Sequence, residues 1–362
     1  MDDKLKFLLN ATSQITKQKN IQDTLTTLSN IMRTLLNAER ASIYLHDQER
    51  KELWTIVSTD VSQIRISDNA GIAGEVFQTG AIINIENAYQ DPRFDQGVDK
   101  KTGYTTSSIL TYPLKNSDDK LIGVFQIMNK LTSEAFDADD ELLLRHISIY
   151  IAAQIENNFL QAELKKASED VIYRLSYTTK FKDPETQSHI IRVGLYGKEI
   201  AKLLGWDAEK QDLIKLAAPM HDIGKVAIPD HILQKPGKLD PDEWQIMMTH
   251  SHCGYEILKG GNSKLMHMAA MIAEDHHEKV DGTGYPNQKK GDQISLVGRI
   301  AAVSDVFDAL TSERCYKKAW AFEDAAQLIR EEKDRQFDGH IAELFLSALD
   351  TMIKIKEDYR DE

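Results

Sequence analysis

The stretch His221-Asp-Ile-Gly-Lys225 carries the second of five metal-ligating side chains that recur along the second half of this 362-residue chain. They follow one another at intervals of 32, 29, 26 and 29 residues, at His189, His221, His250, His276 and Asp305. Each interval is about the length of one helix and its connection. The spacing therefore predicts an all-helical second half in which imidazoles and carboxylates from successive helices converge, as a multinuclear metal centre requires.

Two details of the spacing indicate how metal ions would be held. Adjacent helix residues such as His221 and Asp222 project about 100° apart, so a carboxylate at the edge of a shared face can bridge two ions. Glu185 lies four residues before His189 and therefore on the same helical face. Three or four ligands per ion, with positions left for water and substrate, are typical of catalytic sites. Mixed imidazole and carboxylate ligands suit iron, manganese, zinc or cobalt without selecting among them.

The histidines are too concentrated to be explained as isolated core or surface residues. Eight of the 11 fall between residues 189 and 277. Three of these eight are interpreted as bystanders because of their loop or helix-surface positions: His231, His252 and His267. Two or three closely spaced ions would hold phosphate oxygens for in-line attack. Nearby cations would neutralise the phosphates, and the candidates are Lys225, Arg314, Lys317 and Lys318.

Composition indicates the class of protein. Hydrophobic residues make up 41% and charged residues 28%, as in soluble globular proteins, and the length allows two or three domains. The net charge of −13 argues against general nucleic-acid binding, which favours a basic surface. Two cysteines, Cys253 and Cys315, give no disulfide framework, and the polar start Met1–Lys6 lacks the order of a signal peptide. Since no apolar run approaches the ~20 residues that span a bilayer, we expect a cytoplasmic protein without membrane contact.

The first half of the chain alternates between helical and strand-like patterns. Apolar residues at helical spacing predict a helix over residues 1–40 and a shorter one over residues 71–79. Apolar runs bounded by polar turns predict strands at residues 41–46, 53–58, 81–85, 107–114 and 121–129. Short strands with a helix at each end indicate an α+β sandwich. The polar segment from Glu86 to Ser108 is interpreted as a loop.

A long amphipathic helix is predicted to follow, from Asp137 to about Ser168, without glycine or proline. Its apolar positions suit either ordinary packing on the first domain or pairing with a second copy as a coiled coil. Because the helix joins two domains, we expect a homodimer formed through residues 1–40 and 140–168.

The second half also resembles a known family. His221-Asp-Ile-Gly-Lys225 and His276-His-Glu-Lys-Val-Asp-Gly-Thr-Gly-Tyr-Pro286 are similar to the two motifs of the HD-GYP phosphodiesterases, and so are residues 226–239 and 305–317. The resemblance covers residues 170–350. It implies metal-dependent hydrolysis of cyclic di-GMP to linear pGpG, and on to GMP, by a hydroxide that bridges two or three divalent ions. Iron is the expected metal, with manganese as the alternative.

The resemblance also implies a role for each site residue. One metal ion would be held by His189, His221, Asp222 and Asp305. Asp222 would bridge to a second ion, held by His250, His276 and His277, and Glu185 corresponds to a residue associated with a third ion in part of the family. Asp222 and Lys225 are the expected catalytic residues. The expected substrate contacts are Lys225, Tyr285, Arg314 and Lys317. Pro219, where the family usually has an aliphatic residue, is expected to kink the helix before His221.

Residues 20–160 resemble a GAF domain, a small-molecule sensor fold. Asn129-Lys130, Phe136 and Asp140-Glu141 match the spacing of a motif found in cyclic-nucleotide-binding GAF domains. In that family the lysine and the aspartate mostly lock the fold by an ion pair, so the motif does not establish a ligand. A sensor for a small molecule and a dimerising domain without a ligand are both compatible with the motif, and the GAF ligand is unknown.

The sequence thus predicts a multidomain chain with a GAF domain and its flanking helices (residues 1–160), a connecting helix (140–172) and an all-α HD-GYP phosphodiesterase domain (173–362). We expect the GAF domain to regulate hydrolysis, and the substrates to be cyclic di-GMP and pGpG. Asp308, one turn after Asp305, is a candidate for support of the site. One alternative is an inactive binding module, which the intact ligand set disfavours. Another is a metal enzyme for a different cyclic dinucleotide or a nucleotide monophosphate.

Overall fold

The computed structural model describes residues 21–58, 64–132, 135–178, 187–313 and 318–361. The chain divides into two compact units, Met1–Leu164 and Lys165–Glu362. The first unit contains a sheet with helices beside it and the second is helical, so the predicted fold class is confirmed. None of the helices in these ranges has the length and apolar content that crossing a bilayer requires.

The first unit is built on one antiparallel sheet. Its elements in chain order are α1 (Ile21–Leu35), β1 (Ala38–Asp47), β2 (Glu52–Ser58), β3 (Arg65–Ser67), α2 (Gly71–Thr79), β4 (Ile83–Ile85), α3 (Gln96–Thr102), β5 (Ile109–Lys115) and β6 (Leu121–Lys130). The strand order is β3-β2-β1-β6-β5-β4. The β1–β2 hairpin places Asp47 opposite Glu52, which confirms the charged turn predicted between these strands.

The two faces of this sheet bury separate apolar clusters, because successive side chains of a strand point to opposite sides. One cluster joins the sheet to α1 and to the start of the long helix α4 (Ala138–Thr178), and it includes Leu25, Phe125 and Leu144. The other cluster joins the sheet to α2 and includes Val76 and Val124. The first domain therefore has a core on each side of its sheet.

The helix predicted over residues 1–40 ends earlier than expected. Residues 1–20 lie outside the described residues, and α1 ends at Leu35. Asn37 has a left-handed backbone conformation, with φ of 48°, and Ala38 already pairs with Lys130 in the sheet. A left-handed residue cannot continue an α-helix, so the transition to β1 comes a few residues before the predicted one.

The segment from Glu86 to Ser108, predicted as a loop, contains the short helix α3. The Asp95 side chain accepts a hydrogen bond of 2.8 Å from the backbone N–H of Gly97 and so caps the start of this helix. Asp99 on α3 is 5% exposed and accepts hydrogen bonds from the backbone N–H and the hydroxyl of Thr106. The helix is therefore tied to the chain that follows it, which a pattern of polar residues did not predict.

The second unit is an assembly of helices around one core. After α4 its helices are α5 (Gln187–Leu203), α6 (Ala208–Ala217), α7 (Asp230–Leu233), α8 (Pro241–Leu258), α9 (Lys264–Asp275), α10 (Leu296–Thr311), α11 (Phe322–Glu331), α12 (Gly339–Ser347) and α13 (Leu349–Asp358). The core includes the fully buried side chains of Val193, Ile272, Ile300 and Phe345. These lie on α5, α9, α10 and α12, so the core fixes three of the helices that carry the predicted ligands.

Candidate metal centre

Seven predicted metal ligands come together in the second unit as two groups. In the first group each residue offers a ligand atom within 4.8 Å of the others, and its members are Asp222, His250, His276 and His277. The same holds for the second group, whose members are His189, His221 and Asp305. The groups draw on α5, α8, α10 and the segments that directly follow α6 and α9, as the even spacing in the sequence required.

Asp222 lies between the two groups. Its Oδ2 is 3.2 Å from His221 Nε2, in the second group, and its Oδ1 is 3.2 Å from His250 Nε2, in the first. Within the second group, Asp305 Oδ1 lies 3.5 Å from His189 Nε2. One carboxylate oxygen of Asp222 therefore faces each group, which is the geometry of a bridging ligand.

Three imidazoles are oriented by backbone carbonyls of the preceding helical turn. The Nδ1–carbonyl distances are 2.9, 2.8 and 3.0 Å, for His221 with Ala218, His250 with Met247 and His276 with Ala273. Because a carbonyl oxygen only accepts, each Nδ1 carries the proton and each Nε2 keeps its lone pair. Histidines that bind metals are commonly held in this way, with the second nitrogen directed at the ion.

The electrostatics of the site favour the forms that bind a cation. Burial opposes ionisation of Asp222, but neighbouring groups, with the positive charge of Lys225 the strongest of them, outweigh it and hold the pKa of that carboxyl well below its usual value. Burial lowers the pKa of His276, and it lowers the pKa of His277 well below the usual value. Ionised carboxylates and neutral imidazoles are the forms that coordinate divalent ions.

The Asp222 carboxylate provides a direct test of whether these residues fit a metal. Its Oδ1 is buried and has no hydrogen-bond partner among the described residues, although buried polar atoms are normally satisfied. Its near neighbours are His250 Nε2 at 3.2 Å and His276 Nε2 at 3.7 Å, and both carry lone pairs. A divalent cation would satisfy all three atoms, so the donor set fits a metal centre.

The backbone around His221 and Asp222 is not the regular helix that the sequence predicted. Helix α6 ends at Ala217, and two short 3₁₀ segments follow, at Ala218–Met220 and Ile223–Ala227. Pro219 lies in the first of them, so the helix stops rather than kinks. Gly224 lies in the second, where a Cβ would come within 2.0 Å of the His250 carbonyl. Glycine at this position therefore lets the segment approach α8.

The loop after His277 is held by hydrogen bonds of its own. The Glu278 carboxylate is 3% exposed and accepts from the backbone N–H groups of Asn287, at 2.6 Å, and Lys289, at 3.0 Å. The Asp281 carboxylate accepts hydrogen bonds from the backbone N–H and the hydroxyl of Thr283, which orders the loop. At Gly284 a Cβ would lie 2.6 Å from the His277 carbonyl oxygen, so glycine at this position lets the loop turn back close to His277.

Among the residues that the structure describes, a lysine and two aromatic rings lie at the rim of the centre. Lys225 Nζ lies 2.6 Å from Asp222 Oδ2, so this predicted phosphate ligand is an ion-pair partner of the bridging carboxylate. The ring of Tyr285 lies 4.7 Å from that of His277, and Trp244 meets Tyr285 edge-on at 6.0 Å. Trp244 is 45% exposed, so an aromatic surface borders the candidate metal ligands.

The described residues do not include every predicted site residue. Glu185, Arg314 and Lys317 lie outside them, so the third-metal ligand and two of the substrate contacts stay predictions. The histidines predicted to be bystanders are all exposed, and they belong to neither group: His231, His252 and His267.

Two side chains support the second group from behind. The sequence indicated Asp308 only as a candidate for support, and it did not indicate Arg192. Asp308 is fully buried, and its Oδ2 lies 2.8 Å from His189 Nδ1. Arg192 is also fully buried, and it binds both carboxylate oxygens of Asp308, at 2.6 and 2.7 Å. Arg192 lies one turn after His189, so helical spacing was the available signal. Trp244 had no such signal, because it approaches the site through a loop residue, Tyr285.

In the first unit, the GAF motif forms the ion pair that the resemblance implied. Lys130 Nζ lies 2.5 Å from Asp140 Oδ2, and the two side chains are 10% and 8% exposed. Hydrogen bonding to Asp140 raises the pKa of Lys130. The Asn129 amide bonds to the Thr105 carbonyl and to Glu39. The motif therefore joins β6 to the start of α4 and to its neighbours.

Lys130→Met is expected to destabilise the first unit by about 1–3 kcal/mol, because it leaves the Asp140 carboxylate without its cation. Lys115→Met is the matched control, since the Lys115–Asp119 pair is exposed and such pairs contribute about 0–1 kcal/mol. Hydrogen exchange in peptides covering β6 and the start of α4 measures the difference. Equal protection in the two variants would contradict a locking role for the pair.

The first unit also encloses a cavity of about 80 Å³. Alternate residues of β1 line it, namely Arg40, Ser42 and Tyr44, and the start of α2 at Gly71 lies across from them. Burial raises the pKa of Tyr44 to about 12, so its hydroxyl keeps its proton. The cavity therefore combines a guanidinium and hydroxyls with apolar walls such as Phe94.

Comparison with known proteins identifies both units. Residues 20–155 match the GAF domain family, and residues 175–341 match the HD domain family. The chain therefore contains a GAF domain followed by an HD domain.

Curated relatives are similar to the chain over slightly more than half of its length. The 3′3′-cGAMP-specific phosphodiesterase 2 of Vibrio cholerae is 43% identical over 222 residues, which cover 61% of this chain and 42% of that protein. The cyclic di-GMP phosphodiesterase response regulator RpfG of Xanthomonas campestris is 38% identical over 54% of this chain and 52% of its own. A cyclic di-GMP phosphodiesterase of Thermotoga maritima is 38% identical over 53% and 52%. The chain thus spans about half the length of these relatives.

Proposed function

We propose that this chain is a metal-dependent phosphodiesterase that hydrolyses cyclic di-GMP to pGpG and then to GMP. The observation that carries the proposal is the position of Asp222, with one carboxylate oxygen facing each group of ligands. Two metal ions a few ångströms apart are a recurring arrangement in enzymes that cleave phosphodiesters. Iron is the proposed metal, with manganese as the alternative, since imidazole and carboxylate ligands suit both.

The residues of the candidate site would have different roles in such an enzyme. When bound, the metal ions would supply Lewis acidity and an activated water for attack on the phosphodiester. His189, His221 and Asp305 would hold one ion, and Asp222 would share it with the ion held by His250, His276 and His277. Lys225 is the described cation at the rim and is proposed to bind a phosphate oxygen. Arg314 and Lys317 are proposed to add further positive charge, and Glu185 to hold a third ion.

The exposed aromatic surface suggests how a guanine is held beside the phosphate. We propose that Tyr285 and Trp244 form a stacking surface for one base of the substrate. Stacking of a base on an aromatic side chain contributes about 1–3 kcal/mol, so removing a ring weakens binding more than it slows the chemical step.

Trp244→Ala is expected to raise the KM for cyclic di-GMP about tenfold while kcat changes little, on the scale of one lost base–aromatic stack. Trp244→Phe is expected to keep most of the affinity because it keeps a ring. Ile257→Ala is the control, since Ile257 is exposed on the same helix about two turns beyond His250. A lower kcat with an unchanged KM would contradict the stacking role.

The experiment that tests the function follows both substrate and product. Protein purified without oxygen is incubated with cyclic di-GMP and, separately, with 3′3′-cGAMP, because the 43%-identical relative is named for the latter. Chromatography then separates cyclic dinucleotide, linear dinucleotide and mononucleotide. We expect cyclic di-GMP to be consumed, with pGpG appearing before GMP. Faster consumption of 3′3′-cGAMP would reassign the substrate, and no consumption of either would contradict the proposal.

The first unit and the long helix are proposed to regulate this activity. The cavity beside Arg40 and Tyr44 suits a small polar ligand of the GAF domain. Apolar side chains of α4 are exposed at intervals of four and seven residues, at Leu160, Leu164, Val171 and Leu175. That spacing suits a coiled coil with a second copy, so a homodimer is proposed. Light scattering that gives the mass of one chain would contradict it.

A further inference from the structure

His189 is oriented differently from the other ligand histidines. The Nδ1 atoms of His221, His250 and His276 each face a backbone carbonyl three residues earlier. The Nδ1 of His189 instead lies 2.8 Å from the carboxylate of Asp308, which is 119 residues away in the chain. The position of His189 therefore depends on a tertiary contact rather than on its own helix.

Several side chains besides His189 contact the Asp308 carboxylate. The Arg192 guanidinium binds both oxygens, at 2.6 and 2.7 Å. The hydroxyl of Tyr196 lies 3.2 Å from Oδ1, and Lys356 Nζ lies 3.4 Å from the same oxygen. A two-pronged guanidinium–carboxylate contact fixes rotation as well as position. Asp308 can therefore present Oδ2 to His189 in one orientation.

Arg192 extends the network to the segment after α13. Its Nη1 donates to the Tyr359 carbonyl at 2.7 Å and to Asp361 Oδ1 at 2.9 Å. Ser188, beside His189, donates to the Arg360 carbonyl at 2.9 Å. Residues Tyr359–Asp361 are thus fastened to the helix turn that carries His189. This segment is exposed, and the Asp361 side chain is 27% exposed, although the Arg192 side chain that it contacts is fully buried.

A buried charge network of this kind requires a reason beyond stability. Desolvation of an arginine and an aspartate offsets most of their attraction, and apolar residues of the same volume are often as stable. A carboxylate on the outer nitrogen of a ligand histidine, however, fixes its tautomer and aims its inner nitrogen at the ion. Asp308 contacts the outer nitrogen of His189, and the inner nitrogen, Nε2, lies 3.5 Å from Asp305 Oδ1 in the same group of candidate ligands.

We propose that Asp308 is a positioning residue for His189, and that Arg192 and the segment Tyr359–Asp361 set, through Asp308, the metal affinity of the group formed by His189, His221 and Asp305. The inference rests on the metal centre of the proposed function. It adds that an exposed segment on the surface of the unit controls one of the two metal positions. Among the described residues, the hydrogen bonds of Asp308, Arg192 and Tyr359–Asp361 do not reach His250, His276 or His277, so the metal position that these histidines hold is expected to keep its affinity.

The proposal is tested on the 362-residue chain after a chelator has removed its metal. The protein is titrated with Mn²⁺, and electron paramagnetic resonance measures the free Mn²⁺. Loss of an outer-shell partner typically lowers metal affinity about 10–100-fold. Asp308→Asn is expected to weaken one Mn²⁺ position by about that much, and Asp361→Asn to weaken the same position about tenfold. The second position is expected to be unchanged in both variants.

Two further variants separate positioning from general damage. Asp361→Glu keeps the carboxylate on a partly exposed side chain and is expected to restore wild-type Mn²⁺ affinity. Asp358→Asn makes the same charge change on an exposed residue three positions earlier and is expected to have no effect. Wild-type affinity in both Asp308→Asn and Asp361→Asn would overturn the proposal. So would equal weakening of both positions together with a lower melting temperature. Mn²⁺ binding without hydrolysis of cyclic di-GMP would contradict the proposed function alone.

Discussion

Turnover of cyclic di-GMP is expected to fall at least about 10³-fold when His221 and Asp222 are both replaced by alanine, the scale of losing an electrostatic group that acts on the reacting phosphate. Asp222 is the residue that faces both groups of ligands, and His221 Nε2 lies 3.2 Å from it. Removing both leaves His189 and Asp305 as the described ligands of one group and takes the carboxylate from the other. Neither ion would then keep its full set of ligands.

The measurement is the initial rate of pGpG formation, together with the metal content of the same preparation. A matched control is His252→Ala combined with Asp358→Asn, which removes one histidine and one carboxylate from exposed positions of the same unit. The control is expected to keep wild-type rate and metal content. Retained turnover in the His221→Ala, Asp222→Ala variant, with metal measured, would exclude the proposed centre.

Arg192→Met is expected to destabilise the second unit by about 3–5 kcal/mol, because it leaves the buried Asp308 without its main partner. Hydrogen bonds from His189 and Arg192 outweigh the effect of burial and hold the pKa of Asp308 well below its usual value, so this carboxylate is ionised. Lys356 at 3.4 Å offers partial compensation. For a unit of this size the loss corresponds to a decrease in melting temperature of about 10 °C.

Differential scanning calorimetry measures this change. Arg330→Met serves as the control, because Arg330 is exposed on α11 and its contact with Gln327 is 3.5 Å long. The control is expected to change stability by no more than about 0.5 kcal/mol. Equal melting temperatures for the two variants would show that the Arg192–Asp308 contact contributes no stability. Metal affinity would then be the property that the contact changes.

Local sequence patterns predicted the elements whose signals are local. The helix Gly71–Thr79 has the predicted ends, and the β1–β2 hairpin turns where charged residues interrupt two apolar runs. The helix α3 was missed, although Asp95 at its start is a favoured capping residue. Polar composition concealed that signal, because short capped helices on a surface need few apolar residues.

The convergence of the seven candidate ligands was predictable from the sequence, and the side chains that support them were not. Motif spacing named His221, Asp222 and the ligands on later helices, because a fixed helical core brings evenly spaced positions together. The pairing of Arg192 with Asp308 joins residues 116 positions apart, and no local pattern specifies it. The 3₁₀ segment after Asp222 likewise depends on the close approach to α8 that Gly224 permits.

Turnover measured as a function of metal content tests the central claim most directly. Protein stripped by a chelator is titrated with Fe²⁺ under anaerobic conditions, and in parallel with Mn²⁺, while bound metal and hydrolysis of cyclic di-GMP are recorded on the same samples. We expect no hydrolysis in the stripped protein and a rise in turnover that is complete only when at least two ions are bound per chain. Full hydrolysis by the stripped protein, or by protein with a single bound ion, would contradict it.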